Sequence, residues 1–129
     1  MKLYDLDTVL TFGQYRGETV FEILKKDIAY ITDYCLKQGE DFYITDEVFE
    51  VSIIYGYKGI IDGHIKDGHD AYEAINICKE ISPVKELFIA KKKLYKDHML
   101  KKYKKELEAQ LAGNGNITVK YPILKKNSI

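Results

Sequence analysis

The sequence predicts a mostly helical α+β domain, with a short N-terminal β element, several short helices and one long C-terminal helix. Three observations predict it. Residues 8–12, Thr-Val-Leu-Thr-Phe, alternate and are rich in β-formers, as a short strand requires. Between positions 19 and 81, apolar side chains recur at three- and four-residue spacing behind capping residues. From Pro83 to Ala112 the same spacing continues without a break, with lysines filling the other faces.

The elements follow in order. After the strand, Gly13 and Gly17 bracket a tight excursion in which glycine permits positive φ or close backbone approach. Thr19 is placed to cap a helix over 19–26 that buries Val20, Ile23 and Leu24. A second helix is expected over 28–37, with Ile28, Ile31, Tyr34 and Cys35 on its buried side and Gly39 just past its end. Thr45 or Asp46 starts a helix over 46–55, where β-branched residues also suit a strand. Four glycines between 56 and 68 predict a loop, and 70–81 is helical by pattern, capped by Asp67 or Asp70. Ser82 and Pro83 open the last helix, expected over 83–112; the tail, 113–129, holds a possible edge strand at 117–122.

A chain of 129 residues, 46% hydrophobic, fits a single domain with one core, spanning 1–129. The opening residues lack the apolar stretch of a signal peptide, and no run reaches the length of a membrane span. A cytoplasmic protein without membrane association is expected. Cys35 and Cys78 each sit in an apolar helical pattern, which predicts buried free thiols in a reducing compartment. The net charge of zero conceals a gradient: −6 over residues 1–57, −2 over 58–82 and +8 over 83–129. A basic end of this kind attracts phosphate backbones or an acidic partner, or neutralises the acidic front half.

Three groups of residues are candidate sites. In the 13–17 loop, Tyr15 and Arg16 are placed to stack on a base and clamp a phosphate, or simply to pin a turn onto the first helix. Lys91, Lys92, Lys93, Lys96, Lys101, Lys102, Lys104 and Lys105 form the strongest electrostatic feature. Lysine neutralises phosphate without reading sequence, so DNA or RNA contact through it is not sequence-specific. Two histidines and three aspartates lie between Asp62 and Asp70, but their spacing matches no zinc or nuclease signature, and Asp-Gly is common turn chemistry. No metal, cofactor or catalytic residue is assigned, and no phosphate-binding loop, nucleophile elbow or zinc motif occurs.

The run from Leu10 to Thr19, Leu-Thr-Phe-Gly-Gln-Tyr-Arg-Gly-Glu-Thr, resembles the start of the exodeoxyribonuclease X-like C-terminal domain family. Asp27-Ile28-Ala29-Tyr30-Ile31-Thr32-Asp33-Tyr34 continues the resemblance over about residues 9–50. Gln14 stands where the family has lysine, and Tyr34 where tryptophan is common. The resemblance implies the appended module rather than the nuclease, whose acidic metal ligands are absent, and an origin in a phage, mobile element or bacterium. It implies a non-catalytic nucleic-acid-associated accessory module. Two alternatives stay open: a protein-interaction or inhibitory module using the C-terminal helix against an acidic partner, and a small metal-dependent hydrolase built on the His64–Asp70 segment. The apolar residues of the long helix, Leu100, Tyr103, Leu107 and Leu111 among them, predict a homodimer.

Overall fold

Two three-residue strands, Lys2–Tyr4 (β1) and Phe42–Ile44 (β2), pair in parallel with Lys2 opposite Phe42 and Tyr4 opposite Ile44. The computed structural model describes the backbone of residues 2–114 and the side chains of residues 2–111. Parallel strands need a crossover, and here it consists of helix α1 (Val20–Lys26), a π-helix (Tyr30–Cys35) and the short α2 (Leu36–Gln38) that continues it. The remaining helices are α3 (Asp46–Gly56), α4 (Lys58–Lys66), α5 (Ala71–Ile81) and α6 (Lys85–Asn114). The fold is α+β and mostly helical. Its β element is β1 with β2, not the strand expected over 8–12.

Residues 8–12 fail to form a strand because the glycine loop turns back at once. The Leu10 N–H donates to the Glu18 carbonyl at 2.9 Å, and the Leu10 carbonyl accepts from the Gly17 N–H at 2.8 Å. Only one antiparallel bridge, Val9 to Thr19, remains. The loop expected over 56–68 is also corrected: most of it is α4. Added Cβ atoms at Gly59 and Gly63 would meet nothing, and of the glycines in this stretch only Gly68, after the helix, takes a positive φ, +105°. Glycine costs a helix roughly 1 kcal/mol relative to alanine, and burial of Ile61 helps to offset it. The helix at 46–55 and that at 70–81 are present, capped by Thr45 and Asp70 respectively. The possible strand at 117–122 lies outside the described residues.

The chain divides into two compact units, residues 1–93 and 94–129. In the first, α1 packs on α3 and the π-helix, α3 on α5, and α5 on α4. Val20, Ile23, Leu24, Ile31, Leu36 and Val48 are fully buried. Phe88 joins this core by stacking on Phe49, ring centroids 4.4 Å apart and 5° from coplanar. Cys35 and Cys78 are both buried and unbridged. Burial pushes the Cys35 thiol up to about 11. Among the described residues, no helix is long and apolar enough to cross a membrane.

A capping box closes the start of α1. The Thr19 hydroxyl accepts from the Glu22 N–H at 3.1 Å while the Glu22 carboxylate accepts from the Thr19 N–H at 3.0 Å. The bond from the Thr19 N–H, and a second donated by the Thr19 hydroxyl at 2.9 Å, hold the Glu22 carboxyl below its usual value of 4.5. Thr19→Ala is expected to cost about 1 kcal/mol in thermal or urea unfolding at neutral pH. A depressed folded pKa gives stability that is present above the unfolded value and lost as pH falls through the folded one. The gap between wild type and Thr19→Ala therefore narrows in acid.

Candidate functional site

The glycine loop is built around a tyrosine that lies far along the sequence. Gly13 (φ +74°) and Gly17 (φ +91°) adopt conformations that other residues rarely reach. A Cβ on Gly13 would overlap the Tyr30 hydroxyl, so this glycine is required twice, for its φ and for the close approach of the ring. Tyr15 meets Tyr30 edge-on at 4.8 Å, and Tyr30 lies 5.2 Å from Tyr34. The Tyr15 hydroxyl donates to Asp27 Oδ2 at 2.7 Å. That bond, above all, raises the Tyr15 pKa. Lys26 lies over the Tyr15 ring at 5.2 Å and pairs with Glu18. Gly13, Tyr15, Asp27, Tyr30 and Tyr34 thus form one connected assembly.

The π-helix changes which side chains face out. Its turns are wider than those of an α-helix, and such segments occur frequently at functional sites. Tyr34, expected on the buried side, is 51% exposed, while Thr32 is buried and donates its hydroxyl to the Ile28 carbonyl at 3.2 Å. Ile31 and Cys35 keep their expected places in the core. Beside Tyr34 opens a groove of about 630 Å³, walled by Tyr4, Phe12 and Phe42 and edged by Gln38, Glu40 and Asp41. Tyr4 and Phe42 stack at 4.0 Å, and Phe12 stands edge-on to Phe42 at 6.4 Å.

The lysines named from the sequence occupy different surroundings. Lys91 Nζ donates to the carbonyls of Gly39 at 2.6 Å and Phe42 at 2.8 Å, and lies over the Tyr43 ring at 5.3 Å. Desolvation lowers its pKa. Lys92 pairs with Asp46 at 2.7 Å. Lys93 is exposed in the first unit; Lys96, Lys101, Lys102, Lys104 and Lys105 are exposed in the second. Arg16 is exposed on the glycine loop. The His64 and His69 rings meet edge-on at 5.7 Å, and His69 lies 3.7 Å from Glu73. Among the described residues, no group of three His, Cys, Asp or Glu side chains is arranged to hold a metal ion.

The groove is not among the sequence-derived candidates, and Lys91 is among them only as a phosphate contact, not as an anchor. Lys91 reaches residues 52 and 49 positions away, and nothing local signals such a contact.

Residues 10–38 match the exodeoxyribonuclease X-like C-terminal family model. This stretch contains the glycine loop, Asp27, Tyr30 and the π-helix, so the matched residues are those of the connected assembly. The resemblance read over about 9–50 is narrower in the match, which ends at α2. No curated protein and no solved structure matches the chain.

Proposed function

We propose that the chain is a non-catalytic accessory module of phage, mobile-element or bacterial origin that contacts the phosphate backbone of DNA or RNA in the cytoplasm. The contact residues are the exposed lysines Lys93, Lys96, Lys101, Lys102, Lys104 and Lys105, with Arg16 as an additional cation. The observation that carries this reading is the charge division between the two units. Residues 1–93 hold twelve basic and seventeen acidic side chains, net −5; residues 94–129 hold eight and three, net +5. A polyanion is attracted to the second and repelled by the first. The family match to an exonuclease-associated domain supports the same reading. Tyr15 stacking contributes less, since its ring and hydroxyl are already engaged.

The test is salt dependence. Six lysine contacts correspond to a slope of about −5 in log K against log salt, and binding falls steeply between about 50 and 200 mM. Reversing Lys96, Lys101, Lys102, Lys104 and Lys105 to glutamate is expected to abolish binding of a single- or double-stranded oligonucleotide. Unchanged binding in that variant, or none at low salt in the wild type, refutes the reading.

A second reading is favoured by the exposure of Leu100 (65%), Tyr103 (55%) and Leu111 (47%) on α6. Apolar groups spaced at three and four residues on one helix form a contact stripe. A second copy is the simplest cover, an acidic protein partner the alternative. Light scattering at micromolar concentration is expected to give a dimer that Leu107→Glu converts to a 15 kDa species. A monomer in the wild type removes the dimer.

A further inference from the structure

We propose that the groove beside the π-helix takes up an unpaired base of single-stranded DNA, which stacks on Tyr34 and Phe12. This rests on the phosphate-contact reading above and adds to it the form of nucleic acid that is held. Four aromatic rings, Tyr4, Phe12, Tyr34 and Phe42, wall the groove. Tyr4 and Phe42 are buried against each other, whereas Tyr34 is 51% and Phe12 37% exposed. Rings left this open offer stacking area to a planar heterocycle, and such stacking is sequence-tolerant because every base has a π-face. Gln38, exposed on the rim, has an amide that both donates and accepts, as the edge of a base requires. A base inside a duplex is stacked and paired and does not reach such a groove, so the strand must be single.

Charge does not choose the occupant. Glu40 and Asp41 edge the groove, but the Lys91 ammonium is held on the Gly39 and Phe42 carbonyls, and Lys2 Nζ lies 5.0 Å from the Tyr4 ring centroid. Two carboxylates are thus met by two ammoniums, and an uncharged ring suits the groove better than an ion. The flanking phosphates stay outside it. Arg16, on the loop that follows Phe12, and Lys37, next to Gln38, are exposed cations for them. The net −5 of residues 1–93 means that the base adds to a contact made by the lysines and does not replace it. Phe12, Tyr34, Cys35 and Gln38 all lie within the segment 10–38 that matches a deoxyribonuclease-associated family, which favours DNA over RNA. The π-helix has a role here, since it contributes Tyr34, the most exposed wall of the groove.

The experiment titrates the full chain with an oligothymidine carrying one 2-aminopurine, alone and annealed to its complement. The single strand is expected to bind more tightly than the duplex, to lose 2-aminopurine fluorescence by stacking, and to shift the NMR signals of Phe12, Tyr34 and Gln38. Tyr34→Ala and Phe12→Ala are each expected to weaken single-strand binding by about fivefold to a hundredfold, the range for loss of one stacked base. Duplex binding and the salt slope stay unchanged in both variants. Tyr34→Phe keeps the ring and is expected to keep the affinity and the quench. Tyr72→Ala removes a 71% exposed ring of α5, outside the groove, and is expected to change neither. Single-strand binding that survives Tyr34→Ala and Phe12→Ala, yet is abolished by the lysine reversals, overturns the proposal and leaves the phosphate reading standing. Binding of neither form at low salt removes both. Equal losses in Tyr72→Ala and Tyr34→Ala also overturn the proposal, as do groove shifts given by an RNA strand but not by DNA. Groove shifts that appear on concentrating the protein alone do the same, because a second copy then fills the groove. Melting curves verify the fold of each variant, and the quench and the groove shifts are read on the wild type whether or not Tyr34→Ala folds.

Discussion

Gly13→Ala is expected to lower the melting temperature on the order of 10 °C, although the loop that holds Gly13 is exposed. Two costs add. A non-glycine residue at φ +74° costs about 1–2 kcal/mol. The new methyl also runs into the Tyr30 hydroxyl, and that ring cannot swing aside, because Tyr15 and Tyr34 flank it at 4.8 and 5.2 Å. Overpacking of this kind costs about 1–3 kcal/mol. Together they give about 2–5 kcal/mol, a shift on the order of 10 °C or more for a unit of this size. Gly13→Ala combined with Tyr30→Phe is expected to recover the part due to overlap and to leave the backbone part. A double-mutant cycle measured by thermal unfolding checks this, and strictly additive losses would mean that the ring and the loop are uncoupled.

Lys91→Met is expected to destabilise the chain by about 2 kcal/mol while leaving the salt slope of oligonucleotide binding unchanged. Its ammonium makes two charge-assisted bonds to carbonyls that frame the turn into β2, and each such bond contributes about 1.5–3 kcal/mol before the desolvation cost. Methionine keeps most of the stem and removes the donors. Charge reversal at Lys101 is expected to do the opposite, altering the slope and sparing the melt, because that side chain is exposed. Urea unfolding and an oligonucleotide titration on the same two variants separate the roles. If Lys91→Met melts like wild type, the two carbonyl contacts do not matter.

What was legible in the sequence was whatever rests on local spacing. The cap at Thr19, the caps narrowed to Thr45 or Asp46 and to Asp67 or Asp70, and the helices behind them could be read because capping chemistry and three-to-four periodicity act within one or two turns. Gly13 and Gly17 were legible as glycines with a conformational task. The partner that makes Gly13 indispensable, Tyr30, was visible only as part of a resemblance, since a ring approaching across 17 positions leaves no local pattern. The four glycines from 56 to 68 signal turns by frequency alone, whereas of these four only Gly68 uses positive φ, so composition here does not report geometry. The strand went to the wrong segment for a related reason. Residues 8–12 have the right composition, but their hydrogen bonds go to their own loop, whereas β1 and β2 are short and pair across 40 positions. The groove depended on the π-helix, whose extra width no periodicity argument anticipates, so Tyr34 was placed on the wrong side.

The pairing of β1 with β2 bears on how far the matched segment could be transplanted. Residues 10–38 hold the recurring glycines and tyrosines, yet the rings and aliphatic groups that seal them include Tyr4 before the segment and Phe42, Ile44 and Val48 after it. A graft of 10–38 into another scaffold would carry its glycine loop and π-helix with one side of their packing stripped away. The smallest portable piece must reach back to Lys2 and forward through α3, so that the two strands travel with the loop they enclose.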